Sequence, residues 1–318
     1  MKKLDEMLAG AGSVAITGHV HPDGDCVGSC LGLYHYIRRL LPEADVRVYL
    51  EPFRAQLAML KGAEDIRINT SEEFYPDVCM TLDCGDEDRM GENNIRYYQN
   101  AAKKICIDHH ITNTGFGDIS VVCPTASSTS EVLYTLMDEE KIDKDVAQCL
   151  YLGIVHDTGV FKHSNTASQT MAIAGKLIDA GAEPAKIIDE TFYKKTFAQN
   201  KALGRALDSA RLFLDGAVVA GVIFLKDLKE LGLGAKELDG IVDQLRITEG
   251  VQVAVFLYET AAGSFKVSMR ANGDVDVSAI AGRFGGGGHK KAAGCNLDGD
   301  WLSVAETVAG LVAEQLRS

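Results

Sequence analysis

Residues Gly18-His19-Val20-His21-Pro22-Asp23-Gly24-Asp25 join an apolar run, Val14 to Ile16, to an apolar-periodic run that starts at Cys26. That order reads as strand, loop, helix. In an open α/β sheet such a loop lies outside the carboxyl end of a strand, where these folds hold their ligands. His19, Asp23 and Asp25 would project from it, one imidazole and two carboxylates within a single turn of chain. The set suits a hard or borderline divalent cation such as Mn²⁺. Pro-Asp and Asp-Gly are also ordinary turn chemistry, so the stretch alone leaves a metal site and a plain turn both open.

The next segments repeat the pattern. From Cys26 to Leu41 apolar residues recur at helical spacing and end in Arg38-Arg39, which suits a helix C-terminus. Val46 to Leu50 reads as a strand, Phe53 to Leu60 as a helix and Val78 to Leu82 as a fully buried strand, with Asp83 at its end. Ile105-Cys106-Ile107 is another short strand and stops at Asp108-His109-His110. Ionisable residues thus follow three separate strands, twice with histidine, and turn preference explains one such placement better than three. Ser128 and Glu131 have the spacing of a capping box before a helix from Val132 to Met137. A helix from Val146 to Val155 precedes His156-Asp157-Thr158-Gly159; Thr166 is expected to cap the next helix, and Pro184 to open another. Residues Lys194 to Arg205 turn polar and basic and read as a linker. His35 falls inside the first helix and reads as structural, whereas His163 is open between a structural place and the site.

A second α/β pattern begins after Leu207: strands at Ala217 to Phe224, Val251 to Tyr258 and Phe265 to Arg270, helices at Lys236 to Leu245 and Val277 to Phe284, and an amphipathic helix from Trp301 to Leu316. Gly285 to Gly288 lead directly into His289-Lys290-Lys291. A glycine run can be a flexible linker. This one lacks serine, lies within a domain and meets three potential cations, which suits a cradle of backbone N–H groups for a phosphate. With 318 residues, 46% of them apolar and 24% charged, the chain has material for two domains and a large core. It shows no signal-peptide h-region and no long uncharged apolar stretch, so a cytoplasmic protein is expected. The cysteines form no C-x-x-C pair and read as reduced core residues. A net charge of −13 argues against a surface that coats long nucleic acid.

Taken together, His19-x-x-x-Asp23-x-Asp25, Leu82-Asp83, Asp108-His109-His110 and His156-Asp157-Thr158-Gly159 resemble the four motifs of the DHH phosphoesterases, and Ser268-x-Arg270 with Gly285 to His289 looks like the DHH-associated C-terminal domain. The two-domain length is similar to the standalone subgroup, bifunctional oligoribonucleases that also dephosphorylate 3′-phosphoadenosine 5′-phosphate; relatives in it cleave cyclic di-AMP or linear dinucleotides. The resemblance implies two α/β domains, a mostly parallel N-terminal sheet flanked by helices and a smaller mixed-sheet domain, with the active site in the cleft between them. It divides the chain into a catalytic domain over 1–190, a linker over 191–205 and a substrate-binding domain over 206–318.

Carried over by position, the resemblance implies two Mn²⁺ ions, one held by His19, Asp23 and Asp83, the other by Asp25, Asp83, His109 and Asp157, with Asp83 bridging. His110 would stabilise phosphoryl oxygens or protonate the leaving oxygen, Asp108 would orient a neighbouring ligand, and Arg270, Gly287, Gly288 and His289 would hold the substrate. Electrostatics point the same way, because carboxylates so closely packed take up protons unless cations lie among them. Substrates would be short RNA or small nucleotides; no membrane partner is expected, and a homodimer is left open. Two positions depart from the family pattern: His21 stands where many members carry Asn or Arg, and Ala271 where Ser is common. A nucleotide-binding module with structural metals, a manganese pyrophosphatase and a single-strand DNA exonuclease are the rival readings. Structural metal sites tend to be closed, the glycine-rich segment with His289 speaks against a pyrophosphatase, and such exonucleases are longer.

Overall fold

The structure, a computed structural model, describes residues 3–317. By its internal contacts the chain divides at Lys194/Lys195. In the first domain, strands β1 (Ser13–Thr17), β2 (Asp45–Leu50), β3 (Arg67–Ile68), β4 (Val78–Leu82), β5 (Lys103–Asp108) and β6 (Ile119–Val122) form one sheet in the order β3-β2-β1-β4-β5-β6. Every pairing is parallel. Alternating side chains of these strands enter two cores. Val14, Ile16, Val48, Met80, Leu82, Ile105 and Ile107 meet the helices Gly24–Leu40, Thr129–Leu136 and Lys144–Asp157 on one face. Ala15, Tyr49 and Cys79 meet Tyr97 and Tyr98 of the helix Gly91–Gln99 on the other. Burial on both faces explains why β4 and β5 read as continuous apolar runs. The strand order reverses direction between β1 and β4, and that switch point fixes where a ligand can sit outside the sheet.

In the second domain β7 (Arg211–Phe213), β8 (Val218–Ile223), β9 (Val253–Ala261), β10 (Ser264–Ala271), β11 (Gly287–His289) and β12 (Ala292–Asp298) form a mixed sheet in the order β11-β12-β10-β9-β8-β7, in which β8 and β9 are parallel and the rest antiparallel. Its two faces carry separate cores, one under the helices Val277–Gly282 and Trp301–Arg317, the other under Phe197–Ser209, Leu225–Leu231 and Ile241–Arg246.

Four local expectations are corrected. The stretch read as a linker is largely the helix Phe197–Ser209, capped by Thr196 with Gln199 and anchored by buried Ala202 and Ala206. Small residues gave that buried face too little hydrophobic signal. Thr166 caps nothing: the helix Ser168–Asp179 starts one residue later, and the Thr170 hydroxyl accepts the Ala167 N–H instead. At Ser128 half of the capping box forms. The Ser128 hydroxyl accepts the Glu131 N–H, but the Glu131 carboxylate turns to Ser127 and Thr170. The helix expected over Lys236 to Leu245 is broken by Gly240 in the left-handed region, φ 86°. No helix among the described residues is long and apolar enough to cross a membrane, and all eight cysteines are free.

Candidate metal centre and active site

Three loops at the carboxyl edge of the first sheet bring the expected side chains together. After β1 comes His19, whose Nδ1 lies 2.8 Å from the Val20 carbonyl oxygen. A donor bond there leaves Nε2 as the free lone pair, and Nε2 lies 3.7 Å from Asp23 Oδ1 and 3.4 Å from Asp83 Oδ2. Asp23 is the N-cap of the helix Gly24–Leu40 and accepts the N–H groups of Asp25 and Cys26. After β4 comes Asp83 at φ 57°, a left-handed turn that a carboxylate residue tolerates better than most and that aims the buried side chain back at the switch point. After β5, His109 Nε2 lies 3.5 Å from Asp83 Oδ1 and 3.0 Å from Asp157 Oδ2. Asp83 therefore faces His19 with one oxygen and His109 with the other.

His156 and Asp157 form the last turn of the helix Lys144–Asp157 rather than a loop after it. Gly159, Val160 and Phe161 then run through consecutive left-handed conformations, φ 55°, 60° and 61°. For a β-branched residue such as Val160 that is a strained backbone, which terminates the helix beside Asp157. His163 folds over Gly159. His35 bonds the Lys61 carbonyl, away from these loops.

Asp25 is fully buried in the first turn of its helix, where it accepts the N–H groups of Thr129 (2.6 Å) and Ser130 (3.0 Å) at the start of the helix Thr129–Leu136. Helix N-termini favour negative charge. Even so, burial first, and then Asp83 and Asp157, push the Asp25 carboxyl well above the usual carboxylate range. Burial together with Asp83 and Asp23 likewise raises Asp157 to about 6. Against the opposing effect of burial, hydrogen bonding to Asp157 and the charges of Asp25 and Asp83 raise His109 to about 10. Burial also opposes, and Asp23 and Asp83 overcome it, for His19, which is raised. Each shift draws protons into the cluster. A group that would otherwise fill with protons fits divalent cations, and its donors, imidazole nitrogens and carboxylate oxygens, suit borderline to hard ions. Three sets of donor atoms lie within 4.8 Å of one another: Asp25, His109 and Asp157; Asp83, His109 and His110; and His19, Cys26 and Asp83.

His110 is set apart by its partner. Its Nδ1 lies 2.8 Å from Asp108 Oδ1, and that hydrogen bond raises the imidazole above its ordinary range. Asp108 is buried, and its other oxygen accepts the Asn113 amide at 2.7 Å. The residue that Asp108 orients is therefore His110.

Sequence reasoning missed several contributors. Thr129 donates its hydroxyl to Asp83 Oδ1 at 3.1 Å. Asn113 bridges Asp108 and the Cys84 carbonyl. Gly153 leaves room for the centre, since a Cβ there would lie 2.0 Å from the Ser130 hydroxyl and 2.4 Å from Asp25 Oδ1. A glycine inside an otherwise good helix was the available signal.

In the second domain, Arg270 lies on β10, with its Nε 3.8 Å from Asp243 Oδ1. The glycine run is an edge strand rather than an open loop, because Gly287, Gly288 and His289 pair with Gly294, Ala293 and Ala292. The residues of this strand are exposed.

An open parallel sheet that gathers imidazoles and carboxylates at its switch point, with a carboxylate-held histidine beside them, fits the class of metal-dependent hydrolytic enzymes. The model of the DHH family, N-terminal domain, matches residues 13–154, and that of the DHHA1 domain matches residues 215–315. A bifunctional oligoribonuclease and PAP phosphatase NrnA from Thermus thermophilus is 30% identical over 321 residues, 99% of this chain and 94% of the relative. The protein of that name from Bacillus subtilis is 30% identical over 291 residues, 90% of this chain and 89% of its own length. Among solved structures, an exopolyphosphatase-related protein from Bacteroides fragilis matches with a TM-score of 0.84 at 25% identity, over 98% of this chain and 94% of that one. The chain belongs to the DHH family of phosphoesterases.

Proposed function

We propose that this chain is a Mn²⁺-dependent phosphoesterase that hydrolyses short oligoribonucleotides to mononucleotides and 3′-phosphoadenosine 5′-phosphate to AMP. One observation carries the reading: Asp83 presents one oxygen to His19 and the other to His109, with Asp25 and Asp157 behind. The names of the 30% identical relatives support the substrate class, and free cysteines suit a cytoplasmic setting.

In this reading His19, Asp23 and Asp83 hold one ion and Asp25, Asp83, His109 and Asp157 the other. When bound, two such ions would neutralise the carboxylates and activate a water for attack at phosphorus. Thr129 keeps Asp83 turned toward both positions through its hydroxyl. His110, held by Asp108 and raised in proton affinity, protonates the leaving oxygen or bonds the phosphoryl oxygens. Arg270, Gly287, Gly288 and His289 of the second domain grip the terminal phosphate or nucleotide. A net charge of −13 offers long RNA no extended basic track, so chains of two to five nucleotides are preferred.

The test is a panel of short RNA, 3′-phosphoadenosine 5′-phosphate, cyclic di-AMP and pyrophosphate, each with the purified protein after chelation and after Mn²⁺ is restored. The proposal expects the first two to be hydrolysed only with the metal. Full activity in the chelated protein, or hydrolysis confined to pyrophosphate, would overturn it.

A further inference from the structure

Cys26 is the residue of the opening stretch that the proposed reaction leaves without a role. It follows Asp25 in the first turn of its helix and is completely buried. Its sulfur, a ring nitrogen of His19 and a carboxylate oxygen of Asp83 lie within 4.8 Å of one another. The sulfur is seated there by the backbone opposite. A Cβ at position 18 would lie 2.2 Å from it, so Gly18 provides the space it occupies. Asp23 Oδ1 lies 3.7 Å from the same imidazole, so this ion position has the carboxylate of Asp23 as well as the sulfur within reach.

The two ends of the cluster thus differ in donor type. Asp25, His109 and Asp157 offer nitrogen and oxygen alone, whereas His19 and Asp83 have a sulfur beside them. Soft thiolate favours ions such as Zn²⁺, Cd²⁺ and Co²⁺ over Mn²⁺ or Mg²⁺. A cation in contact with the sulfur favours the thiolate.

We propose that Cys26 is a thiolate ligand at the ion position of His19 and Asp83, so that this position accepts a thiophilic divalent cation while the position of Asp25, His109 and Asp157 remains one for hard ions. The inference rests on the metal-centre reading above. In the binding step the S–H bond breaks as the sulfur–metal bond forms, the proton passes to the buffer, and no electrons are transferred.

The metal-free protein is titrated with Co²⁺ and, separately, with Cd²⁺, and followed by ultraviolet absorption and by proton release in weak buffer. Wild type should develop a sulfur-to-metal charge-transfer band that saturates near about one equivalent, with roughly one proton more released than from C26S. In C26S the band should vanish while Co²⁺ still binds by calorimetry. Cd²⁺ affinity should fall by at least the roughly 10–100-fold that loss of an outer partner costs, with Mn²⁺ affinity changing far less. A Co²⁺-loaded wild type without the band, or a C26S variant that keeps it, overturns the proposal. Wild type that binds no divalent cation overturns the metal centre itself, whereas calorimetric binding without the band removes only the sulfur. If C26S does not fold by circular dichroism, the band of the wild type still decides.

Discussion

The carboxyl edge of the first sheet and the glycine-rich edge of the second are both places where a phosphate compound could be handled, yet they are built in opposite ways. At the first, buried side chains meet: Asp25, Asp83 and Asp108 are nearly or wholly out of solvent and press against imidazoles. At the second, backbone groups meet, because Gly286 and Gly288 let β11 approach β12 where any Cβ would collide, and the residues remain exposed. Buried charge can be tolerated only with countercharge close by, and it then acts strongly on whatever enters. Exposed backbone and a half-buried arginine bind without such cost and act weakly. The proposed function accordingly puts chemistry at the first edge and grip at the second.

The sharpest attempt to break this contrast is Asp83→Ala. A carboxylate that serves both ion positions should be worth more than either outer ligand, so activity should fall by several kcal/mol, on the order of 10³-fold, and further than in Asp23→Ala. Elemental analysis should show that both ions are lost. Full two-ion occupancy in that variant would remove Asp83 from the bridging position.

Removing the metal tests the electrostatic half of the contrast. At a hundredfold excess over Kd an ion that binds only the folded state stabilises it by about 2.7 kcal/mol, so chelation should lower Tm. The loss should also depend on pH. His109 is raised to about 10 from 6.5, so in the metal-free protein its pairing contributes stability that is fully present below pH 6.5 and disappears as pH rises through 10. His19 is raised as well and acts with the same sign. His156, lowered to about 4 by burial, acts oppositely, with stability present above pH 6.5 and lost below it, outside this window. The gap in Tm between metal-loaded and metal-free protein should therefore widen from pH 6.5 to 10. A constant gap in differential scanning fluorimetry would mean that the histidines do not share a site with the ions.

Grip and chemistry separate by substrate size. Arg270→Ala and His289→Ala should each lower kcat/KM for a nucleotide by roughly ten- to a hundredfold, since a charge-assisted hydrogen bond contributes about 1.5–3 kcal/mol. A small activated diester, bis-p-nitrophenyl phosphate, should be hydrolysed at a similar rate by both variants, while His110→Ala should impair both substrates. Equal losses on the two substrates for Arg270→Ala would put the arginine at the reacting phosphorus.

The two edges also differed in how far the sequence disclosed them. The clustered residues sit in short contiguous motifs at the ends of apolar elements, so His19 and Asp83 after strands and Asp157 at the end of a helix stood out as candidates from local order. Thr129 was not, because it reaches Asp25 across 104 positions, and only the crossing of two helices brings them together. Asn113 was hidden for the same reason, and Gly153, though marked as a glycine inside a helix, showed its purpose only through what the fold puts opposite its missing Cβ. The helix Phe197–Ser209 escaped notice because alanines form its buried contacts. In the glycine run, composition alone could not separate a loop from a strand, since both need residues without side chains.

Two adjacent glycines test that last distinction. Gly288 has φ 145°, and a Cβ there would lie 2.4 Å from the Ala292 carbonyl oxygen and 2.6 Å from the Ala293 Cα, whereas a Cβ at Gly287 meets nothing within 4 Å. Backbone cannot yield as the end of a flexible side chain can, so Gly288→Ala has to separate β11 from β12 or strain both. Such overpacking costs about 1–3 kcal/mol. Gly287→Ala should stay within about 0.5 kcal/mol of wild type, as open surface positions do. Because β11 is at the edge of the second sheet, the effect of Gly288→Ala should appear in that domain's unfolding and in KM for nucleotides, with turnover of the small diester preserved. If the glycines served only as a flexible loop, the two variants would behave alike in denaturant melts, and the paired hairpin would lose its part in holding His289.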